Sequence, residues 1–233
     1  MKTSLKVAIL AVFAAMYCIM TFIPGIPVIG LTKAKIKVVA ALAPLYGIIL
    51  GPFNGLIAVA MGQLLTYIFK GFKFMSIIFS PPSMLSALTA GLLARSDSAK
   101  KKLLLLTLYS VLLALWFVYT DFSYFGLIAL PHLVVFIVSI VMSDSIYKWV
   151  RLLKGKKYIV SVIIISASAI LVDHLTGFSI YFWVFRPPLN VLESIAPMAY
   201  IMYIERVLLI ILSTVIISLT LPALKRMGIS LLD

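Results

Sequence analysis

The residues Ala40 to Phe69, AALAPLYGIILGPFNGLIAVAMGQLLTYIF, run for thirty positions without a charge and are broken near the middle by Gly51 and Pro52. About 20 apolar residues cross the hydrocarbon core of a bilayer, so this run is too long for one spanning helix and suits two short ones. Proline removes a backbone donor and clashes with the preceding turn, so the chain reverses at Pro52 and the run reads as a membrane hairpin. Irregular backbone at membrane depth has to be buried in protein or line a cavity, and Gly/Pro-interrupted spans of this kind point towards transporters.

Composition places the whole chain in the same class. Of its 233 residues 64% are hydrophobic and 12% charged, with a mean hydropathy of +1.19. That describes an integral membrane protein, here read as one transmembrane domain over residues 1–233. The start, MKTSLKVAILAVFAAMYCIM, imitates a signal peptide. Its apolar run continues to Pro24 without a small-x-small cleavage site, and Tyr17 before Cys18 does not fit a lipoprotein, so the segment reads as an uncleaved first helix. With Cys18 the single cysteine, neither an internal disulfide nor a cysteine-based metal site is expected.

Eight apolar segments follow by length: Leu5 to Ile23, Val38 to Leu50, Phe53 to Phe69, Met84 to Ala94, Leu103 to Tyr119, Phe122 to Tyr147, Tyr158 to Ile180 and Ala199 to Leu221. The second and fourth are short for a bilayer and are tilted, extended by their flanks or partly re-entrant. The fold class is therefore an all-α bundle of six to eight transmembrane helices.

Lys and Arg are enriched in cytoplasmic loops. With the N-terminus inside, thirteen of the twenty basic residues fall on the inner side, among them Lys100, Lys101, Lys102, Lys154, Lys156 and Lys157. Six fall outside, Lys33, Lys35, Lys37, Lys70, Lys73 and Arg186, while Arg206 lies within the last span. Both termini are predicted to be cytoplasmic. The net charge of +13 is explained by orientation and anionic headgroups, with no call for nucleic acid. No soluble domain and no Walker-type phosphate loop is present in the sequence, so any ATP-driven step belongs to another polypeptide.

Ionisable groups inside spans are costly and mark candidate sites. The seventh segment carries Asp173 and His174 in LVDHLTG, and the eighth carries Glu205 and Arg206 in YIERVLL. Counted from the predicted outer ends, Asp173, Glu205 and Gln63 lie at similar depth, roughly 9 to 10 Å at 1.5 Å per residue. Two readings stay open: ion pairs that hold helices together, or a polar floor beneath an outward pocket with Arg206 or His174 meeting the ligand. His132, beside Pro131, reads as a satisfied helix residue. In GFSIYFWVFRPPLNVLES most aromatics suit an interfacial belt, and a few, with Asn190, suit a ring-bearing ligand. The first outer loop, PGIPVIGLTKAKIK, is a lid or a connector. Ala11 and Ala15, four apart on the first helix, let another helix approach closely.

In their order, the AVFAA stretch (Ala11 to Ala15), the loop PGIPVIG, the hairpin APLYGIILGPFNGLIAVAMGQLL, SALTAGLLA (Ser86 to Ala94), DHLTG and the final ERVLLIILSTVIISLTLPALKR resemble the S components of energy-coupling factor (ECF) transporters, especially archaeal-type members. That resemblance implies a non-enzymatic, multi-pass subunit of a prokaryotic cell membrane, without a cofactor, that captures a vitamin or related micronutrient near the outer face. A transmembrane T component and two cytoplasmic ATPases would then drive release as the S component topples in the bilayer. Ala11 and Ala15 map onto the family's AxxxA contact with the T component, and the family pocket, built from the first outer loop and the later helices, fits the layer at Asp173, His174, Glu205 and Arg206, to which the residues themselves add Gln63 and Asn190 as substrate-binding candidates. Members commonly have a six-helix core, two fewer than the segments drawn here. The competing reading is a self-sufficient proton-coupled carrier using His174 and the two acids. An intramembrane lipid enzyme lacks the paired metal ligands or nucleophile–base sets it would need.

Overall fold

The computed structural model describes residues 3–27, 35–95, 98–121 and 123–228. Helix α1 spans Thr3–Met20, and a 3-10 turn over Val38–Leu42 runs into α2, Ala43–Leu50. Then come α3 (Pro52–Lys70), α4 (Phe74–Ile78), α5 (Pro81–Arg95) and α6 (Ala99–Thr120). These are followed by α7 (Tyr124–Leu127), α8 (Leu130–Val141) and α9 (Ser143–Val150). Helix α10 (Gly155–Ile180) continues through a π-helical turn at Tyr181–Phe185, and α11 (Leu189–Ile195) leads into α12 (Ala199–Arg226). A two-residue antiparallel pairing, Ile26–Pro27 with Lys35–Ile36, brackets the tip of the first loop. Half of the predicted lid, residues 28–34 with Lys33, lies outside the described residues.

Among the described residues five helices are long and apolar enough to cross a membrane, or six if α8 and α9, bent by 72° at Met142, count as one broken span. Two shorter apolar helices, Lys6–Met20 and Val38–Leu50, stand beside them. Each of the eight predicted segments is thus helical. The fourth is longer than expected because α4 and α5 together form a 22-residue apolar unit, Phe74–Arg95.

The opening hairpin forms as its sequence predicts. Gly51 adopts φ 89°, a conformation that L side chains rarely enter, and Pro52 then starts α3 with its ring where a backbone donor would go unused. The last carbonyls of α2 lack intrahelical partners, and Arg95 supplies them: its Nε donates to Ile48 O at 2.8 Å and its Nη2 to Ile49 O. The turn has no cation of its own and borrows one from α5. Behind it α2, α3 and α5 meet backbone to backbone. A Cβ on Gly47 would fall 1.8 Å from the Ala87 carbonyl oxygen, so glycine is what lets these helices approach.

Helix α10 is the axis of the bundle and packs on α5 and α12. The α6–α9 segment also packs on α10, with further contacts to α5. Rings fasten it: Trp116 lies 5.2 Å from Phe182 and 5.0 Å from Phe178, and Tyr119 stacks on Phe182 at 4.9 Å. Tyr109 Oη donates to Ser168 O at 2.8 Å deeper in the same interface.

Candidate functional site

A cavity of about 840 Å³ opens among α1, the turn before α2, α3, α4–α5, α10, α11 and α12. Its wall draws on residues 17–83 and 173–209 and on none of the described residues between 84 and 172. This separates a six-element core (α1, Val38–Leu50, α3, α4–α5, α10 and α12) from a peripheral pair, α6 and the bent α8–α9. Those are the two segments in excess of the six implied by the family resemblance.

The cavity lies at the end of the bundle away from the first turn of α1, the last turn of α12 and Gly51. Helix α3 meets it with Gln63, Thr66, Tyr67 and Lys70, spaced i, i+3, i+4 and i+7, so one polar stripe of an otherwise apolar helix faces inward. Gln63 Nε2 donates to Ser80 O at 3.1 Å, while its buried Oε1 has no hydrogen-bond partner. Tyr67 Oη donates to Ser76 O at 2.7 Å, which ties α3 to α4 across the rim.

The floor is charged. Asp173 on α10 accepts from Ser83 Oγ on α5 at 3.2 Å, and its other oxygen lies 3.6 Å from Arg206 Nη1 on α12. Arg206 Nη2 is 3.8 Å from Glu205 Oε2, and Arg206 Nε is buried without a hydrogen-bond partner. The guanidinium is flanked by two carboxylates yet donates no hydrogen bond to either within 3.5 Å. Arg206 and Gln63 thus line the cavity while each keeps one polar atom, Nε and Oε1, buried behind the wall without a partner.

Gln63, Asp173, His174 and Arg206 therefore come together around one cavity. The remaining two candidates stand elsewhere. Glu205 is buried beside Arg206 but does not line the cavity, because neighbours on a helix point about 100° apart. Asn190 is exposed on the first turn of α11, whose Val191 and Ile195 supply the wall instead. The ring-rich segment after α10 divides similarly. Phe178 and Tyr181 line the cavity and Phe182 is buried, while Trp183 and Phe185 are exposed at the periphery.

Several wall residues escape the reading of isolated charges. Tyr17 and Thr21 reach the cavity from the end of α1, and the α3 stripe was legible as helical spacing. Lys37, Lys70 and Lys73 enter the sequence argument only as topology markers, yet all three line the cavity. Lys70 Nζ is fixed by Thr21 O at 2.5 Å and lies 4.2 Å from the centre of the Phe22 ring. Surrounding protein and then the Lys70 ammonium lower the pKa of Lys37, with Asp173 acting the other way. The mouth is thus rich in positive charge. His132 is not isolated: its Nε2 lies 2.9 Å from Nδ1 of His174. No spacing rule could pair two residues that are 42 positions apart.

Ala11 and Ala15 are both exposed on α1, whereas Ala14 between them is fully buried.

A polytopic helical bundle of the cell membrane, with a small-molecule-sized cavity at one end and no large extramembrane domain among its described residues, has the form of a solute-binding transport subunit. Residues 1–177 match the family model of the ECF-type riboflavin transporter, S component, and the chain belongs to that family. Subunits of this kind bind a vitamin-type substrate and work with a T component and ATPases. No curated protein and no solved structure gives a match. The match ends at Gly177, so Phe178, Tyr181 and the whole of α12, with Arg206, lie beyond it.

Proposed function

We propose that this chain is the substrate-capturing subunit of an ATP-driven ECF importer and that its substrate is riboflavin or a close flavin relative. The observation that carries the reading is the cavity itself. Its size falls in the range of about 300–1,000 Å³ used by small-molecule sites, with Phe79, Phe178 and Tyr181 offering ring faces. Cavity-lining side chains that donate and accept, Gln63, His174 and Arg206, suit the carbonyl, imide and hydroxyl groups of a flavin. The cavity faces outward, in keeping with both termini on the cytoplasmic side, and ATP hydrolysis resides in partner subunits.

Titration of the purified chain with riboflavin, read by quenching of flavin fluorescence, should give a dissociation constant at or below about 1 μM, that is, roughly −8 kcal/mol or tighter. Absence of binding by riboflavin and flavin mononucleotide would remove flavins as substrates. Reconstitution without ATPases should give no sustained uptake; concentrative transport by the chain alone would favour the proton-coupled carrier.

A second reading, favoured by Lys37, Lys70 and Lys73 at the mouth, is that the ligand carries a phosphate or carboxylate. The phosphorylated flavin should then bind more tightly than riboflavin, and raising salt should reduce that advantage. Equal affinities at low and high salt would assign the lysines to the membrane interface instead.

The exposed Ala11–Ala15 face of α1 is proposed to dock on the T component. Ala11→Leu with Ala15→Leu should cut uptake by the assembled complex about tenfold or more while leaving riboflavin binding to the isolated chain unchanged, because bulk blocks a close helix approach without touching the cavity. Normal uptake by the double variant would exclude this face.

A further inference from the structure

The peripheral α6–α9 segment lines no part of the cavity, yet one of its residues contacts a residue that does. His132 on α8 is fully buried, and its ring lies 20° from parallel to that of His174 with centroids 5.0 Å apart, which fits an edge-to-edge hydrogen bond. On its far side, His132 Nδ1 is 3.3 Å from Tyr203 Oη of α12, and Tyr203 Oη also contacts the carbonyl oxygen of Ile128. Among the described residues His174 Nε2 has no hydrogen-bond partner, and His174 lines the cavity.

Proton accounting along this chain has one solution. The Ile128 carbonyl has no proton, so the Tyr203 hydroxyl donates to it. The Tyr203 oxygen is then left to accept, and the proton on that side belongs to His132 Nδ1. A neutral His132 therefore has a bare Nε2, which can only accept from His174 Nδ1–H. His174, also neutral, is left with a bare Nε2. We infer that His132, whose Nδ1–H is held by Tyr203 and the adjacent backbone, acts as a positioning residue that holds His174 as a hydrogen-bond acceptor towards the cavity, so that the ligand places an N–H or O–H donor there. This rests on the cavity being the ligand site. An imide N–H or a side-chain hydroxyl of a flavin meets the requirement, and an analogue with a methyl or a bare acceptor in that place does not. In this way the peripheral pair of helices acts on specificity without touching the ligand.

The chain has two histidines, so nitrogen-15 labelling of histidine in the tag-free, full-length protein gives four ring signals to assign. Both rings should be neutral and protonated on Nδ1, with His174 Nε2 of the bare, pyridine-like type. Tyr203→Phe removes one acceptor for His132 Nδ1–H but leaves the Ala129 carbonyl, which also bonds the His132 side chain, so both tautomers should persist. His132→Leu removes the acceptor for His174 Nδ1–H, frees the His174 tautomer and should lower riboflavin affinity about 10- to 100-fold. His132→Asn, which can keep its carbonyl oxygen towards His174 Nδ1–H, should lose less. A protonated Nε2 on His174 in the wild-type protein, or an unchanged His174 spectrum in His132→Leu, would overturn the inference whether or not riboflavin binds. If riboflavin binds and the His174 Nε2 signal does not move, the ligand contact is overturned while the flavin reading stands. If riboflavin fails to bind but the tautomers are as stated, the flavin reading falls and the acceptor assignment holds.

Discussion

Arg206→Ala is expected to abolish ligand binding and to destabilise the protein by about 3–5 kcal/mol, the usual result of removing one partner from a buried ion pair. Arg206 is placed between Asp173 and Glu205, at 3.6 and 3.8 Å. Without it two carboxylates stand in a largely desolvated layer. The two consequences separate experimentally. Adding Asp173→Asn and Glu205→Gln to Arg206→Ala removes both stranded charges and should recover most of the thermal stability, whereas the binding site stays incomplete. Ligand affinity measured beside melting temperature therefore decides Arg206's role. Full recovery of affinity in the triple variant would make Arg206 a structural counter-ion only. Failure to bind in a stable triple variant supports a direct ligand contact.

Gly47→Leu should be nearly as damaging for an unrelated reason. Any Cβ at this position meets the Ala87 carbonyl oxygen at 1.8 Å and the Gly91 nitrogen at 2.9 Å, and these are backbone atoms that cannot swing aside. Helices α2 and α5 would have to separate, which exposes packed surface along both and disturbs α3 through Gly55, whose own Cβ would lie 2.6 Å from Gly47 Cα. A loss of about 4 kcal/mol or more is expected, seen as loss of monodisperse protein on size-exclusion chromatography. A variant that purifies normally and melts within a few degrees of wild type would show that this junction opens cheaply.

These two sites differ in how far sequence alone could reveal them. Arg206 and Asp173 stand out because charges are rare in apolar spans, and similar depth is enough to suggest one layer. Gly51 and Pro52 announce the hairpin through backbone chemistry that is local. Gly47 carries no such signal, since its importance depends on what α5 places opposite it. The same holds for Arg95, which stabilises a turn over 40 residues away in sequence, bonding to Ile48 with |i−j| of 47. His132 was legible as a buried polar residue but not as a partner of His174, because tertiary pairing leaves no period in the chain. The polar stripe of Gln63, Thr66, Tyr67 and Lys70 was available in the helical spacing and shows that periodicity of polar residues within a span is as informative as a lone charge. Asn190 illustrates the reverse: a polar residue in the right loop, turned outward by its register on a short helix.

The division of the cavity wall between residues 17–83 and 173–209 also bears on synthesis. Early helices emerge from the ribosome with half a wall and no floor cation, and the middle of the chain is inserted before anything can close it. Only when α12 enters the membrane do Arg206 and Met202 meet the α3 stripe. With the cavity as the proposed ligand site, a nascent chain has no complete site until its final span is in place, and a vitamin present during translation is expected to stabilise the finished subunit over a precursor truncated before α12.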